Sequence, residues 1–390
     1  MKNCINILLI IIIIILLFLN FNKHRETFNK HIETFNNNSI QITKSIYTPL
    51  IKISKAQDFN TFGLISKLKF GIIKNPTEYK NIIIIPGLGD CILKQNNNIV
   101  WPINCSDINK NNYTSVYENN YTHLKTILNL FSALNYSSDK LNTLVYDFIN
   151  LDISKIILTF KELLKKNTII IAYDFGAVIA NLCIQKLSED EKKQINHLLL
   201  ICPTIGGVPL SVREYLNGND IINNNSTQNI DTTLLSFPNK QIYNNPVIIY
   251  NKIKYSSNNL SNLIKTNLNE DFDNSECLKI QEESLKNPKV NTIIIGSTGY
   301  NTPLCYDYMN NLRDTPKKYS ISNYINTPNN NNLIEGLQVN GDLVVPTDNL
   351  YKLQSLWGDN CKLEILKNIN HYSILKSYEL CIIILKYLNN

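Results

Sequence analysis

The feature that most constrains this chain is the join Ile171-Ala172-Tyr173-Asp174-Phe175-Gly176-Ala177, where an apolar run passes into helical spacing with no linker. Thr168 to Tyr173 is rich in β-branched residues and unbroken, as a strand buried on both faces requires. Helical spacing then takes over from Ala177 to Leu187, with Ile179, Cys183, Ile184 and Leu187 on one side. A strand that hands over to a helix so abruptly brings two backbones close together, and small Ala172 and Gly176 flank the turn accordingly. The central side chain, Asp174, is then held out at the helix N-terminus. That is the carboxyl edge of a parallel sheet, where open α/β folds gather their functional groups.

The rest of the chain repeats the alternation. Ile82 to Ile85 is a β-branched run stopped by Pro86-Gly87, and Leu141 to Phe148, Leu198 to Ile201, Thr292 to Ile295 and Lys362 to Leu366 read as further strands. Ile153 to Lys166 and Ser373 to Leu388 have helical spacing. Strands alternating with helices predict an α/β domain with a mostly parallel sheet, over about 61–390. From Gly207 to Pro288 the text turns Asn- and Ser-rich with weak periodicity. It reads as a cap insertion of about 208–288 over the carboxyl edge of the sheet.

Composition removes several classes. With 390 residues, 44% hydrophobic and 18% charged, the chain has ample apolar content for a core and is not a disordered polymer. A net charge of +6 from scattered Lys and Arg lacks the concentrated basic face that nucleic acid requires, so no nucleic-acid partner is expected. Asn makes up roughly one residue in six, which fits a codon bias, and runs such as Asn329 to Asn332 mark loops.

At the start, Ile5 to Phe21 is apolar except for Asn6 and Asn20. The flank Asn22-Lys23-His24-Arg25-Glu26 lacks the small residues of a cleavage site. Residues 1–22 therefore read as a signal-anchor and 23–60 as a polar stalk, which predicts a single-pass membrane protein, its domain in the secretory pathway. Of the nine cysteines, Cys4 abuts this segment, Cys183 and Cys202 read as core residues, and Cys91 and Cys105 flank a polar loop they could close in a lumen. There is no CxxC, and the five His lack an HExxH spacing, so neither a metal site nor a cofactor is expected.

Two further residues complete a set with Asp174 in the chain order nucleophile, acid, base. Asp342 follows the short run Leu337 to Val339 in Asn340-Gly341-Asp342-Leu343, with Asp348 as the second candidate acid. His371 follows the last strand in Asn368-Ile369-Asn370-His371. The turn Pro86-Gly87-Leu88-Gly89 ends the first strong strand, where the Leu88 N–H could face an oxyanion together with the N–H of Phe175.

These motifs resemble, in order and through most of residues 80–375, the lecithin:cholesterol acyltransferase family, which includes lysosomal phospholipase A and phospholipid:diacylglycerol acyltransferases. Pro86-Gly87-Leu88-Gly89 matches the family's first glycine turn, and Trp101 and Cys105 stand where its lid loop begins. Tyr146-Asp147-Phe148 resembles its Tyr-Asp-Trp strand end, with Ile149 in place of the usual Arg. Ala172-Tyr173-Asp174-Phe175-Gly176 matches the Gly-His-Ser-x-Gly elbow. Cys202-Pro203-Thr204-Ile205-Gly206-Gly207 and Asn217-Gly218-Asn219-Asp220 resemble its Ala-Pro-x-Gly-Gly and Ser-Gly-Asp-Asn segments. Gly341-Asp342 and Asn370-His371 fit the acid and base. The resemblance implies an α/β-hydrolase fold and acyl transfer or phospholipase action on phospholipid or another acyl lipid at a membrane.

The departure is Asp174, where the family has serine. A carboxylate attacking an ester would form a mixed anhydride and has no proton to give His371. Carboxylate nucleophiles act on alkyl carbon, as in epoxide hydrolases and dehalogenases, whose elbows read Gly-His-Asp-x-Gly. Three readings follow: a lipid acyltransferase or phospholipase impaired at its nucleophile, a non-catalytic lipid-binding protein, and an Asp-dependent epoxide or halide hydrolase.

Overall fold

A computed structural model describes residues 61–68, 76, 78–96, 98–101, 114–116, 123–218, 231–268, 275–320 and 333–389. Six strands form the central sheet: β1 (Asn81–Ile85), β2 (Leu141–Thr143), β3 (Thr168–Tyr173), β4 (Ile195–Ile201), β5 (Thr292–Thr298) and β6 (Cys361–Lys367). Their spatial order is β2-β1-β3-β4-β5-β6, and every neighbouring pair is parallel. The protein is thus α/β with a six-stranded parallel sheet, as the alternation predicts.

The apolar runs are unbroken because the sheet is covered on both faces. Successive residues point to opposite faces. Ile83, Ile85, Ile170 and Ala172 accordingly join one core, and Ile82, Ile84, Ile169 and Ile171 the other. The helices Ile153–Leu163 and Gly176–Gln185 cover the first face through Ile156, Phe160, Ile179 and Cys183. Lys125–Ala133 and Tyr378–Leu388 cover the second through Ile127, Phe131, Leu380 and Ile384. Burying one Ile stabilises the fold by roughly 2 kcal/mol, so these two rows are a large share of what holds the layers together.

The topology also creates a crevice. From β1 the chain moves out to the edge strand β2, then returns on the other side of β1 as β3 and continues in that direction. The carboxyl ends of β1 and β3 therefore flank the point where winding reverses, where the connecting segments diverge and leave an opening. Pro86–Asp90 leaves β1 there, and Asp174 leaves β3.

A second sheet has the order Leu337–Gly341, Tyr300–Tyr308, Ile248–Tyr250, Ile253–Tyr255. The expected run at Leu337 is therefore a strand, but one paired antiparallel with Tyr300–Tyr308 outside the central sheet. Gly299, at φ +109°, links β5 to Tyr300–Tyr308, and a side chain there would meet Asn368 Oδ1 at 2.6 Å. Within 208–288, the described parts form the helices Pro209–Asn217, Asp231–Leu235, Leu260–Leu268 and Ser275–Leu285, with two strands of the second sheet. Val212, Leu235, Leu263 and Leu285 bury into the first core.

Several boundaries shift for local reasons. β2 stops at Thr143, well short of Phe148, because Asp147 turns the chain: its Oδ1 accepts the N–H groups of Ile149 at 2.9 Å and Asn150 at 3.1 Å. The last helix starts at Tyr378, after a 3-10 turn at Ile374–Lys376, because the Ser377 hydroxyl caps the Leu380 N–H at 3.2 Å.

The expected single-pass membrane location is corrected. Among the described residues no helix is long and apolar enough to cross a membrane. The stretch 5–21 that suggested one lies outside the described residues, as do the stalk 23–60, Cys4 and Cys105. Cys91 is buried with a free thiol.

Candidate active site

The turn after β3 is as tight as its sequence predicts. Asp174 has φ +52°, a left-handed conformation that costs a non-glycine residue about 1–3 kcal/mol and persists only where the surroundings enforce it. Enforcement comes from both sides. The Asp174 N–H extends the ladder to the Ile201 carbonyl at 2.9 Å, while the Asp174 carbonyl accepts the Ala177 N–H at 3.1 Å. A side chain at Gly176 would lie 2.3 Å from the Pro86 carbonyl oxygen, and one at Gly87 would lie 2.7 Å from the Tyr173 ring. Small residues at 87 and 176 thus let the loop after β1 press against the elbow.

That contact sets the chemistry. The Leu88 N–H donates to Asp174 Oδ2 at 3.0 Å, and the Phe175 N–H also bonds to the carboxylate. Asp174 Oδ1 faces the other way, 3.4 Å from His371 Nε2. His371 Nδ1 meets Asp342 Oδ2 at 3.0 Å. All five candidates read from sequence, Asp174, Asp342, His371, Leu88 and Phe175, therefore converge. Asp348 does not: it is exposed in the first turn of the helix Thr347–Trp357.

Asp342 is fully buried and His371 nearly so. Burial at this depth requires that every oxygen be used. Asp342 Oδ1 accepts the Val344 N–H at 2.9 Å and the Val345 N–H at 2.6 Å, leaving Oδ2 for the imidazole. The loop itself is folded by Leu343 at φ +92°, whose N–H donates to Thr302 Oγ1 at 2.9 Å. His371 is fixed through its backbone: its N–H donates to the Asp342 carbonyl at 2.8 Å and its carbonyl accepts the Tyr173 hydroxyl at 3.1 Å.

Burial alone would pull the pKa of His371 down, but Tyr173, the Asp342 charge and the bonds to both carboxylates outweigh it, and the imidazole is held well above its ordinary range. Burial likewise pushes Asp174 up, and His371 with the Leu88 and Phe175 N–H groups brings it below the usual carboxylate value. Both directions favour an imidazolium between two carboxylates. Asp174 also has no hydroxyl proton for His371 to remove.

Three contributors escaped the sequence reading. Tyr146 donates its hydroxyl to the Pro86 carbonyl at 3.0 Å and anchors the loop after β1. Asp90 braces the same loop by accepting the Gly87 N–H at 3.3 Å. Cys202, at φ +43°, is a core residue as expected, yet it also stands beside the site, with its sulfur and one donor atom each of Asp342 and His371 within 4.8 Å of one another. Burial and the Asp342 charge push this thiol up to about 12, and His371 Nδ1 is already committed to Asp342. A metal needs the thiolate and a free imidazole nitrogen, so the cluster reads as the back wall of the site. The signal for Asp90 was available, since an Asp closing a Gly-x-Gly turn often bonds back to its own loop.

No family model matches the chain. No curated protein matches it either. Among solved structures it is similar to "The crystal structure of Tle4-Tli4 complex", with 8% identity and a TM-score of 0.49 over 80% of this chain and 98% of that one. At that similarity the match adds nothing to the geometry described above.

Proposed function

We propose that this chain has the α/β-hydrolase fold and is a lecithin:cholesterol acyltransferase-like protein of lipid metabolism, whose site takes a phospholipid or other acyl lipid while Asp174 disarms ester transfer. The supporting observation is the line Asp174–His371–Asp342, with the elbow residue at φ +52° and its Oδ2 on the Leu88 N–H. A serine at 174 would offer a hydroxyl proton to His371 and leave the Leu88 and Phe175 N–H donors open for the oxyanion of a tetrahedral intermediate. The carboxylate removes both conditions. It has no proton to give, it favours the protonated form of His371, and its Oδ2 occupies the Leu88 N–H.

The test uses labelled phosphatidylcholine with the full chain, following bound lipid and released or transferred acyl groups. The native protein should bind lipid and release no more acyl chain than His371→Ala. Asp174→Ser should gain release that depends on His371. Acyl release by the native protein, abolished by Asp174→Ala, would overturn the disarmed reading. Absence of lipid binding in both native and serine forms would overturn the lipid assignment.

One observation favours a second reading, an Asp-dependent epoxide or halide hydrolase. Asp174 Oδ2 is held by the Leu88 N–H while Oδ1 is oriented to the His371 side. Attack by Oδ1 on an alkyl carbon would break the C–O or C–halide bond and leave an alkyl ester. An esterified Asp174 would no longer carry the charge that favours the proton on His371. The neutral imidazole would then take a proton from the water adding to the ester, and the oxyanion would form at the Leu88 N–H. Its collapse would return the carboxylate and an alcohol. Single turnover in heavy-oxygen water would then label Asp174, and an unlabelled carboxylate rejects this reading.

A further inference from the structure

The loop that presents the Leu88 N–H is tied to a second histidine–carboxylate pair that the triad does not use. The side chain of Asp90 is only 1% exposed, so its charge must be met inside the protein. Oδ2 accepts the Gly87 N–H at 3.3 Å, the residue before Leu88. Oδ1 accepts the backbone N–H of His123 at 3.4 Å and its ring Nδ1–H at 2.5 Å. A carboxylate only accepts, so Nδ1 carries the proton in this contact. The turn is closed on itself by the Asp90 N–H on the Gly87 carbonyl at 3.3 Å.

His123 is a firm post for this tie. The next residue, Leu124, is fully buried and caps the helix Lys125–Ala133, whose core side chains belong to the second face of the sheet. The His123 ring itself is open, with 56% of the side chain exposed. It lies at the same mouth as the triad: its ring is 6.5 Å from that of Tyr372, which is 5.4 Å from that of His371.

We propose that Asp90 and His123 are positioning residues for the site, a brace that holds the Leu88 N–H on the Asp174 carboxylate, with the His123 ring N–H as its pin. The other two contacts of the Asp90 carboxylate are long, 3.3 and 3.4 Å, and the ring contact is the short one. Without it the buried carboxylate keeps only weak partners and turns toward water, taking the Gly87 contact with it. The loop then relaxes and the Leu88 N–H leaves Asp174. The importance of the brace for a reaction rests on the acyl-lipid reading above; its existence does not.

Amide hydrogen exchange on the full chain, resolved to single residues in 82–90, separates the two. In His123→Ala the Leu88 amide should exchange at least tenfold faster than in the native protein, with Ile82 to Ile85 unchanged. His123→Asn should restore protection, because an Asn side-chain N–H reaches the place of Nδ1–H, and Asp90→Asn should behave like His123→Ala. Leu88 exchange within twofold of native in His123→Ala overturns the brace, as does equal acceleration in β1, which would mean general loosening. In the Asp174→Ser background, adding His123→Ala should lower kcat by about 100-fold, the usual cost of losing one oxyanion donor, with KM little changed. A serine variant with no acyl release breaks the acyl reading and leaves the exchange result to decide the brace.

Discussion

Among the described residues two histidines meet a buried aspartate through Nδ1, and they differ in what lies on the other side of the ring. At His371 the contact to Asp342 is 3.0 Å, the histidine side chain is 3% exposed, and Asp174 closes the far nitrogen. At His123 the contact to Asp90 is 2.5 Å, but the ring is 56% exposed. The same pair of groups therefore does different work. Sealed from water, the first pair becomes part of a three-charge line, in which loss of Asp342 leaves the His371 Nδ1–H and two backbone N–H groups without their acceptor. Open to water, the second can be broken at little cost to the fold, and its effect is confined to the loop it holds.

Substitutions measure that difference directly. Asp342→Ala should be the most damaging, costing about 3–5 kcal/mol, because it leaves a buried imidazolium and the Val344 and Val345 N–H groups unmet. A denaturant midpoint close to native would break the comparison. Asp90→Ala should cost less, about 1–3 kcal/mol, since His123 can turn to water while the Gly87 N–H loses its partner. Should the two aspartate variants lose equal stability, exposure of the histidine is not what separates the pairs. His123→Ala should change global stability by no more than about 0.5 kcal/mol, as expected for an exposed side chain.

The sealed pair also predicts a pH profile. His371 is held above its ordinary value of 6.5, so its stabilisation is complete below that value and is lost as pH rises through the folded value. Asp174 is held below its ordinary value of 3.8, so its contribution is complete above 3.8 and is lost as pH falls through the folded value. The site should stabilise the protein most between those two ordinary values. Asp174→Asn should bring the His371 titration down, readable from the imidazole resonances, and flatten the alkaline limb of the profile. An unchanged His371 titration would mean that Asp342 alone sets the charge of the ring.

Much of the frame was legible because it depends on local pattern. Thr168–Tyr173 is a strand over the range its apolar run marks, and the helix begins one residue earlier than the spacing suggested, at Gly176. Asp174 and His371 were readable because β3 and β6 of the parallel sheet deliver their loops to one edge, whereas Asp342 arrives from a strand of the second sheet. The errors came where side chains override periodicity. Asp147 ends β2 early, and Ser377 moves the start of the last helix, each by accepting backbone N–H groups that a run of apolar residues does not reveal. The short run from Leu337 gave no hint of its partner, and it pairs with Tyr300–Tyr308 because pairing partners are chosen across the fold.

By itself the sequence determined the α/β alternation, the elbow at Asp174 and the small residues at 172 and 176 that flank it, since each follows from backbone sterics and burial within a few neighbouring residues. Only the tertiary structure decided that one oxygen of Asp174 rests on the Leu88 N–H, that His371 lies between two carboxylates, and that Asp90 reaches His123. Those contacts join residues 86, 29 and 33 positions apart, and their consequences depend on angstrom distances and on water exclusion. Local pattern carries neither, because both are set by how the layers close around the crevice between β1 and β3.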